Sequence, residues 1–167
     1  MTALISFIVF CQTFGALIGA STAIWGELAY IRAMRDGRID VAERAHLRII
    51  AHGLYFGMTL LLFASLALVI TAYVTHLTPQ PAVTTSYWTL ILFALVIIYT
   101  SWALSRNRIS FALGSAITFT AWWLLVYLAF GWIPPISFGA IVAFFVVATA
   151  TFYAILGYTR FLASPRN

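Results

Sequence analysis

Apolar residues run along the chain in five long stretches, and polar residues are concentrated in the short segments between them. A helix needs about 20 mostly apolar residues to cross about 30 Å of hydrocarbon. No stretch alternates polar and apolar residues at every second position, as the strands of a membrane barrel do. The pattern therefore predicts an all-α, polytopic membrane bundle of five transmembrane helices, over residues 4–31, 47–76, 87–104, 111–132 and 138–161.

Turn-forming residues occupy the breaks between these stretches, most clearly in the first connection. Gly37 is typical of a helix end, and Asp40 followed by Glu43 resembles a capping box at the next helix start. The first helix should therefore stop near Asp36 and the second start near Val41. This predicts a cytoplasmic helical hairpin with its turn region at about 32–46, within a single domain covering residues 1–167.

Composition agrees with a membrane protein. Hydrophobic residues make up 63% of the chain and charged residues 8%, whereas about a quarter of the residues of a soluble domain are charged. The mean hydropathy is +1.02. These values exclude an ordinary soluble domain, and the single cysteine excludes a disulfide framework.

The basic residues orient the predicted bundle. All nine are arginines, and they flank the first connection, the third connection and the C-terminus. The positive-inside rule then places the N-terminus outside and the C-terminus in the cytoplasm, as expected for a multi-pass protein of a bacterial inner (plasma) membrane. The net charge of +5 follows from these arginines, so we expect contact with the bilayer and its anionic lipid headgroups rather than with nucleic acid.

One acidic residue, Glu27, lies on the membrane side of the first arginine. Counting residues back from the hairpin turn places Glu27 and His52 at nearly equal depth, close enough to hydrogen-bond if their faces meet. An ionisable residue inside a membrane is a candidate functional site because its desolvation needs a partner. Tyr30 and Tyr55 are candidates for the same proton or ligand site. The alternative is a structural anchor in which Glu27 reaches Arg48.

Small residues form a second pattern on the first helix. Gly15, Gly19, Ala23 and Gly26 recur at spacings of four, four and three, which keeps them on one face. Such a face lets two helix backbones approach closely in lipid. Gly53 and Gly57 of the second helix offer a matching small face, so packing within the chain is one interpretation; homodimerisation is the other.

Two adjacent tryptophans, Trp122 and Trp123, lie near the middle of the fourth predicted helix, away from the interfaces that tryptophan prefers. They fill the bundle or line a pocket for a flat hydrophobic cofactor such as a quinone or haem. His52 and His76 are about 36 Å apart along one helix and cannot share a haem iron. Glu43 and His46 form only one of the two Glu-x-x-His pairs that a di-iron site requires, so no metal site is predicted.

No combination of nucleophile, base and oxyanion donor is recognisable, so no catalytic residue is assigned. We therefore expect a non-catalytic membrane protein, either an accessory or scaffolding component of a membrane complex or a small oligomeric permeation unit. Its partner is then a second copy or another membrane protein. The alternative is a protein that binds a hydrophobic or redox cofactor near His52 or Trp122.

Overall fold

The computed structural model describes residues 2–36, 41–76, 79–132 and 137–163, with side chains left undescribed at 33–36, 41–49 and 163. The helices are α1 (Thr2–Asp36), α2 (Val41–Thr75), α3 (Thr85–Ser105), α4 (Phe111–Ala129) and α5 (Phe138–Ala163), with a single 3-10 turn at Pro81–Val83. No strand occurs in these ranges. Each of the five helices contains a segment long and apolar enough to cross a membrane. The predicted all-helical architecture is confirmed.

The predicted limits of the first hairpin are also confirmed, since α1 ends at Asp36 and α2 begins at Val41. Its turn, residues 37–40, lies outside the described residues. Hydroxyl caps fix the starts of α3 and α4: Thr84 Oγ1 accepts from the backbone N–H of Tyr87, and Ser110 Oγ accepts from that of Leu113. These caps satisfy amide groups that have no partner in the first helical turn.

Most consecutive helices pack against each other, but the bundle does not follow chain order throughout. α1 packs against α2, α4 and α5, while α4 packs against α1, α3 and α5; the consecutive helices α2 and α3 touch only sparsely. The central layer is therefore α1 with α4. We call the end of the bundle that holds the α1–α2 and α3–α4 connections and the C-terminus of α5 the hairpin end.

The small face of α1 is used inside the chain. A Cβ built on Gly15 would lie 2.9 Å from the carbonyl oxygen of Gly57, and one built on Gly57 would lie 2.8 Å from that of Gly15. A Cβ on Gly53 would overlap Thr22. The close approach of the two backbones thus requires glycine at positions 15 and 57, which agrees with the intramolecular interpretation of the pattern.

Candidate functional site

A buried ion pair joins α1 to α5 near the hairpin end. Nη2 of Arg160 donates to Oε2 of Glu27 at 2.6 Å, and both residues are only 8% exposed. Desolvation of two charges is costly, and a short charge-assisted hydrogen bond offsets part of that cost. The pair is therefore the strongest polar tie between these helices among the described residues.

Three further side chains surround the guanidinium. Arg160 Nη2 also donates to Oγ of Ser115 on α4, at 2.6 Å. The guanidinium carbon lies 5.1 Å from the ring centroid of Tyr30 and 5.3 Å from that of Phe111, and these two rings lie 4.1 Å apart. Aromatic faces attract cations, most strongly where water is excluded. Helices α1, α4 and α5 thus meet at one arginine. We call this residue and its four neighbours (Glu27, Tyr30, Phe111 and Ser115) the Arg160 cluster.

Helical geometry explains why these residues point inward. Glu27 follows Gly19 and Ala23 at intervals of four residues, so it lies on the same buried face of α1. Arg160 lies in the last turn of α5, where the helix dipole favours a cation. Helix α5 runs back toward the hairpin end, so its terminal arginine reaches the depth of Glu27.

A cavity of about 320 Å³ adjoins the Arg160 cluster. It is formed by α1, α2, α3 and α4. Its walls are mainly apolar, and Glu27 supplies the one charged group among the described lining residues. Hydroxyl-bearing residues complete the lining: Thr22, Tyr30, Ser101, Ser115 and Thr118. We call this space the Glu27 cavity.

The residues predicted to join Glu27 lie in different environments. Tyr30 belongs to the Arg160 cluster, whereas His52 and Tyr55 lie on the exposed surface of α2. The side chain of Arg48 lies outside the described residues. Among the described residues, the Glu27 carboxylate is paired with Arg160, whereas the predicted partner His52 lies on the exposed side of α2, away from the buried face of α1.

The adjacent tryptophans separate into two environments. Trp122 is fully buried, and its ring packs so closely on Gly19 that a Cβ there would overlap it. Trp122 therefore packs in the core, and it is not among the described lining residues of the α4–α5 groove. Trp123 is half-buried and lines an apolar groove of about 640 Å³ between α4 and α5.

Aromatic rings form most of this α4–α5 groove. They come from both helices and from the end of α4, and the rings of Phe119 and Phe152 meet across it at 4.9 Å. The described lining is Phe119, Thr120, Trp123, Leu124, Tyr127, Trp132, Ile141, Phe144, Ala148 and Phe152. Apolar walls with few polar groups are typical of sites for lipophilic molecules.

Sequence reasoning missed three members of the Arg160 cluster, namely Arg160, Ser115 and Phe111. A signal was present, since Arg160 falls inside the fifth predicted span and an intramembrane charge needs a partner. Ser115 gave no such signal, because a single serine in a transmembrane helix normally bonds to its own backbone. Its hydroxyl does donate to the carbonyl of Ala112, in addition to accepting from Arg160.

No protein-family model, curated protein or solved structure matches this chain.

Proposed function

We propose that this protein is a non-catalytic integral membrane protein that binds a hydrophobic ligand in the α4–α5 groove. The observation that carries the proposal is the groove itself, about 640 Å³ in volume and walled by aromatic rings of two helices. That volume falls in the range of about 300–1,000 Å³ typical of small-molecule sites. Flat aromatic walls favour a ring-containing or isoprenoid ligand.

The lining favours a quinone-type molecule over haem. Haem iron is usually held by histidine, cysteine or methionine and in some proteins by tyrosine, and of these the described lining residues include only the exposed Tyr127. A quinone needs no metal ligand and gains its affinity from apolar burial and stacking. We therefore place the proposed cofactor site beside Trp123 and not beside His52 or Trp122.

Filling the groove tests the proposal without removing a contact. Ala148 lines the groove, whereas Ala140 is exposed on the same helix and is not among the groove-lining residues. We expect decyl-ubiquinone to quench tryptophan fluorescence saturably in the detergent-purified protein and in Ala140→Phe. Ala148→Phe should weaken binding by about tenfold or more, since the lost burial is worth upward of 1.4 kcal/mol. Quenching that is linear in quinone concentration, or equal in both variants, would contradict the proposal.

A second candidate is an accessory component that associates through α5. Only 6% of its apolar segment is buried, against 28% to 44% in the other helices. The small residues of its exposed face lie within about 60° of one another: Gly139, Ala143, Ala150, Ala154 and Gly157. We propose a second copy of this chain as the occupant, because faces of small residues already bring α1 and α2 into backbone contact.

Oligomeric mass tests this candidate. Ala150→Leu on the exposed face should shift a dimer to monomer in light scattering, whereas Ala3→Leu on the exposed surface of α1 should not. A monomeric wild-type protein would exclude the candidate. Large side chains, with Trp122 and Phe93 foremost, fill the interior of the single chain. A permeation path would then run between copies rather than through one.

For the orientation, we propose an outside N-terminus and a cytoplasmic C-terminus in a bacterial inner membrane. The exposed Arg32, Arg106 and Arg108 at the hairpin end support it. Arg108 stacks on Trp102, with 4.9 Å from guanidinium carbon to ring centroid. An arginine paired with an interfacial tryptophan suits anionic lipid headgroups on the cytoplasmic side.

A further inference from the structure

We propose that the Glu27 cavity is a second binding site, separate from the α4–α5 groove, for a neutral ring compound that bears a hydroxyl group. Phe119 is the one described residue that lines both spaces. The rest of the cavity is lined by α1, α2, α3 and the N-terminal part of α4, whereas the groove is lined by the C-terminal part of α4, by Trp132 and by α5. An experiment that refutes one of the two sites therefore leaves the other unaffected.

Because Glu27 and Arg160 neutralise each other, the cavity favours a ligand without net charge. Glu27 lines the cavity, and Arg160 already neutralises it through a 2.6 Å hydrogen bond. A charged ligand would leave a net charge in an apolar surrounding, which is costly at membrane depth. A neutral ligand keeps the balance.

The Glu27 carboxylate requires the ligand to be the donor in their hydrogen bond. An ionised carboxylate has about four acceptor positions and no donor. Arg160 uses one of them, on Oε2. A ligand that meets Glu27 must therefore donate, and a hydroxyl is a neutral group that forms a short hydrogen bond to a carboxylate.

The remaining walls decide the shape of the ligand. Aromatic side chains of Tyr30, Phe111 and Phe119 line the cavity beside Glu27, together with Ile50 and Leu54. A volume of about 320 Å³ admits a fused two-ring molecule. Phenols, naphthols and similar ring alcohols meet all three conditions.

Two probes that differ in one hydrogen bond test the inference on the unmodified protein. 2-Naphthol carries the hydroxyl donor, whereas 2-methoxynaphthalene has the same rings and only an acceptor. Binding is measured by calorimetric titration of the detergent-purified protein against an empty-micelle blank. We expect saturable binding of 2-naphthol, with 2-methoxynaphthalene about tenfold weaker or worse, as a hydrogen bond to a charged group implies. Equal affinities, or partitioning without saturation, would overturn the inference.

A filling variant localises the probe. Ala51 lines the cavity and lies on the exposed side of α2, so Ala51→Phe enters the cavity without touching the ion pair. We expect it to reduce 2-naphthol affinity at least tenfold, with Ala140→Phe as the matched control. Ala148→Phe should leave 2-naphthol affinity unchanged. If Ala148→Phe removes binding instead, the probe occupies the groove and the Glu27 site is refuted while the groove proposal stands.

Discussion

Glu27 and Arg160 lie 133 positions apart in the chain, yet their side chains meet at 2.6 Å inside the bundle. The contact ties the first helix to the last at the hairpin end. Ser115 and the rings of Tyr30 and Phe111 surround the guanidinium, so the cation of α5 has partners on two other helices, α1 and α4. An arginine held in this way fixes the position of α5, which otherwise buries little of its surface.

The ion pair should show strong coupling in a double-mutant cycle. Glu27→Gln leaves the Arg160 charge buried without its counter-ion, and we expect a loss of about 3–5 kcal/mol in unfolding free energy. Arg160→Gln should cost a similar amount. The double variant should lose clearly less than the sum, because two neutral amides can hydrogen-bond to each other. Reversible unfolding in mixed micelles measures all three; additive losses would show that the two residues act separately.

We expect a side chain at position 19 to destabilise the protein as long as Trp122 occupies the core. Gly19→Ala places a methyl group against the buried indole, and we expect a loss of about 1–3 kcal/mol by overpacking. Gly157→Ala is the control, since a Cβ there meets nothing within 4 Å. The penalty at Gly19 should shrink in a Trp122→Leu background. Equal stability of the two alanine variants would contradict the packing seen between α1 and α4.

Gly131 should be required for its backbone conformation alone. Its φ is +68°, and a Cβ there would meet nothing within 4 Å. Gly131→Ala should therefore cost about 1–2 kcal/mol from left-handed strain and not from crowding. Gly139→Ala has equally open space without a positive φ and should cost less. Thermal unfolding of the two variants in detergent compares them directly.

Accessibility to a membrane-impermeant maleimide should separate the two ends of the bundle. In a Cys11→Ala background, Val83→Cys should be labelled in intact cells, since Val83 is 80% exposed in the second connection. Asn107→Cys lies in the exposed α3–α4 turn at the hairpin end. It should react only after the cells are permeabilised. Labelling of both positions in intact cells would overturn the proposed orientation.

The candidate sites were only partly predictable. Glu27 and Tyr30 could be singled out because a charged residue at membrane depth needs polar partners. Their partner could not, since depth along a helix says nothing about which way a neighbouring helix is rotated. His52 matched Glu27 in depth but lies on an exposed face, whereas Arg160 comes from a helix at the far end of the chain. The α4–α5 groove had Trp123 as its only advance sign.

The sequence by itself determined the number of helices and their approximate limits, and it offered the α1–α2 contact as one of two interpretations of the glycine pattern. The length of an apolar stretch is a local property, and the hairpin brings the glycines of α1 and α2 together. Only the tertiary structure decided that α1 and α4 form the centre, that Trp122 packs on Gly19, and that Arg160 neutralises Glu27. Lateral order and rotation in a bundle depend on the fit of side chains from distant segments, and helices that are apolar on every side carry no local pattern that specifies it.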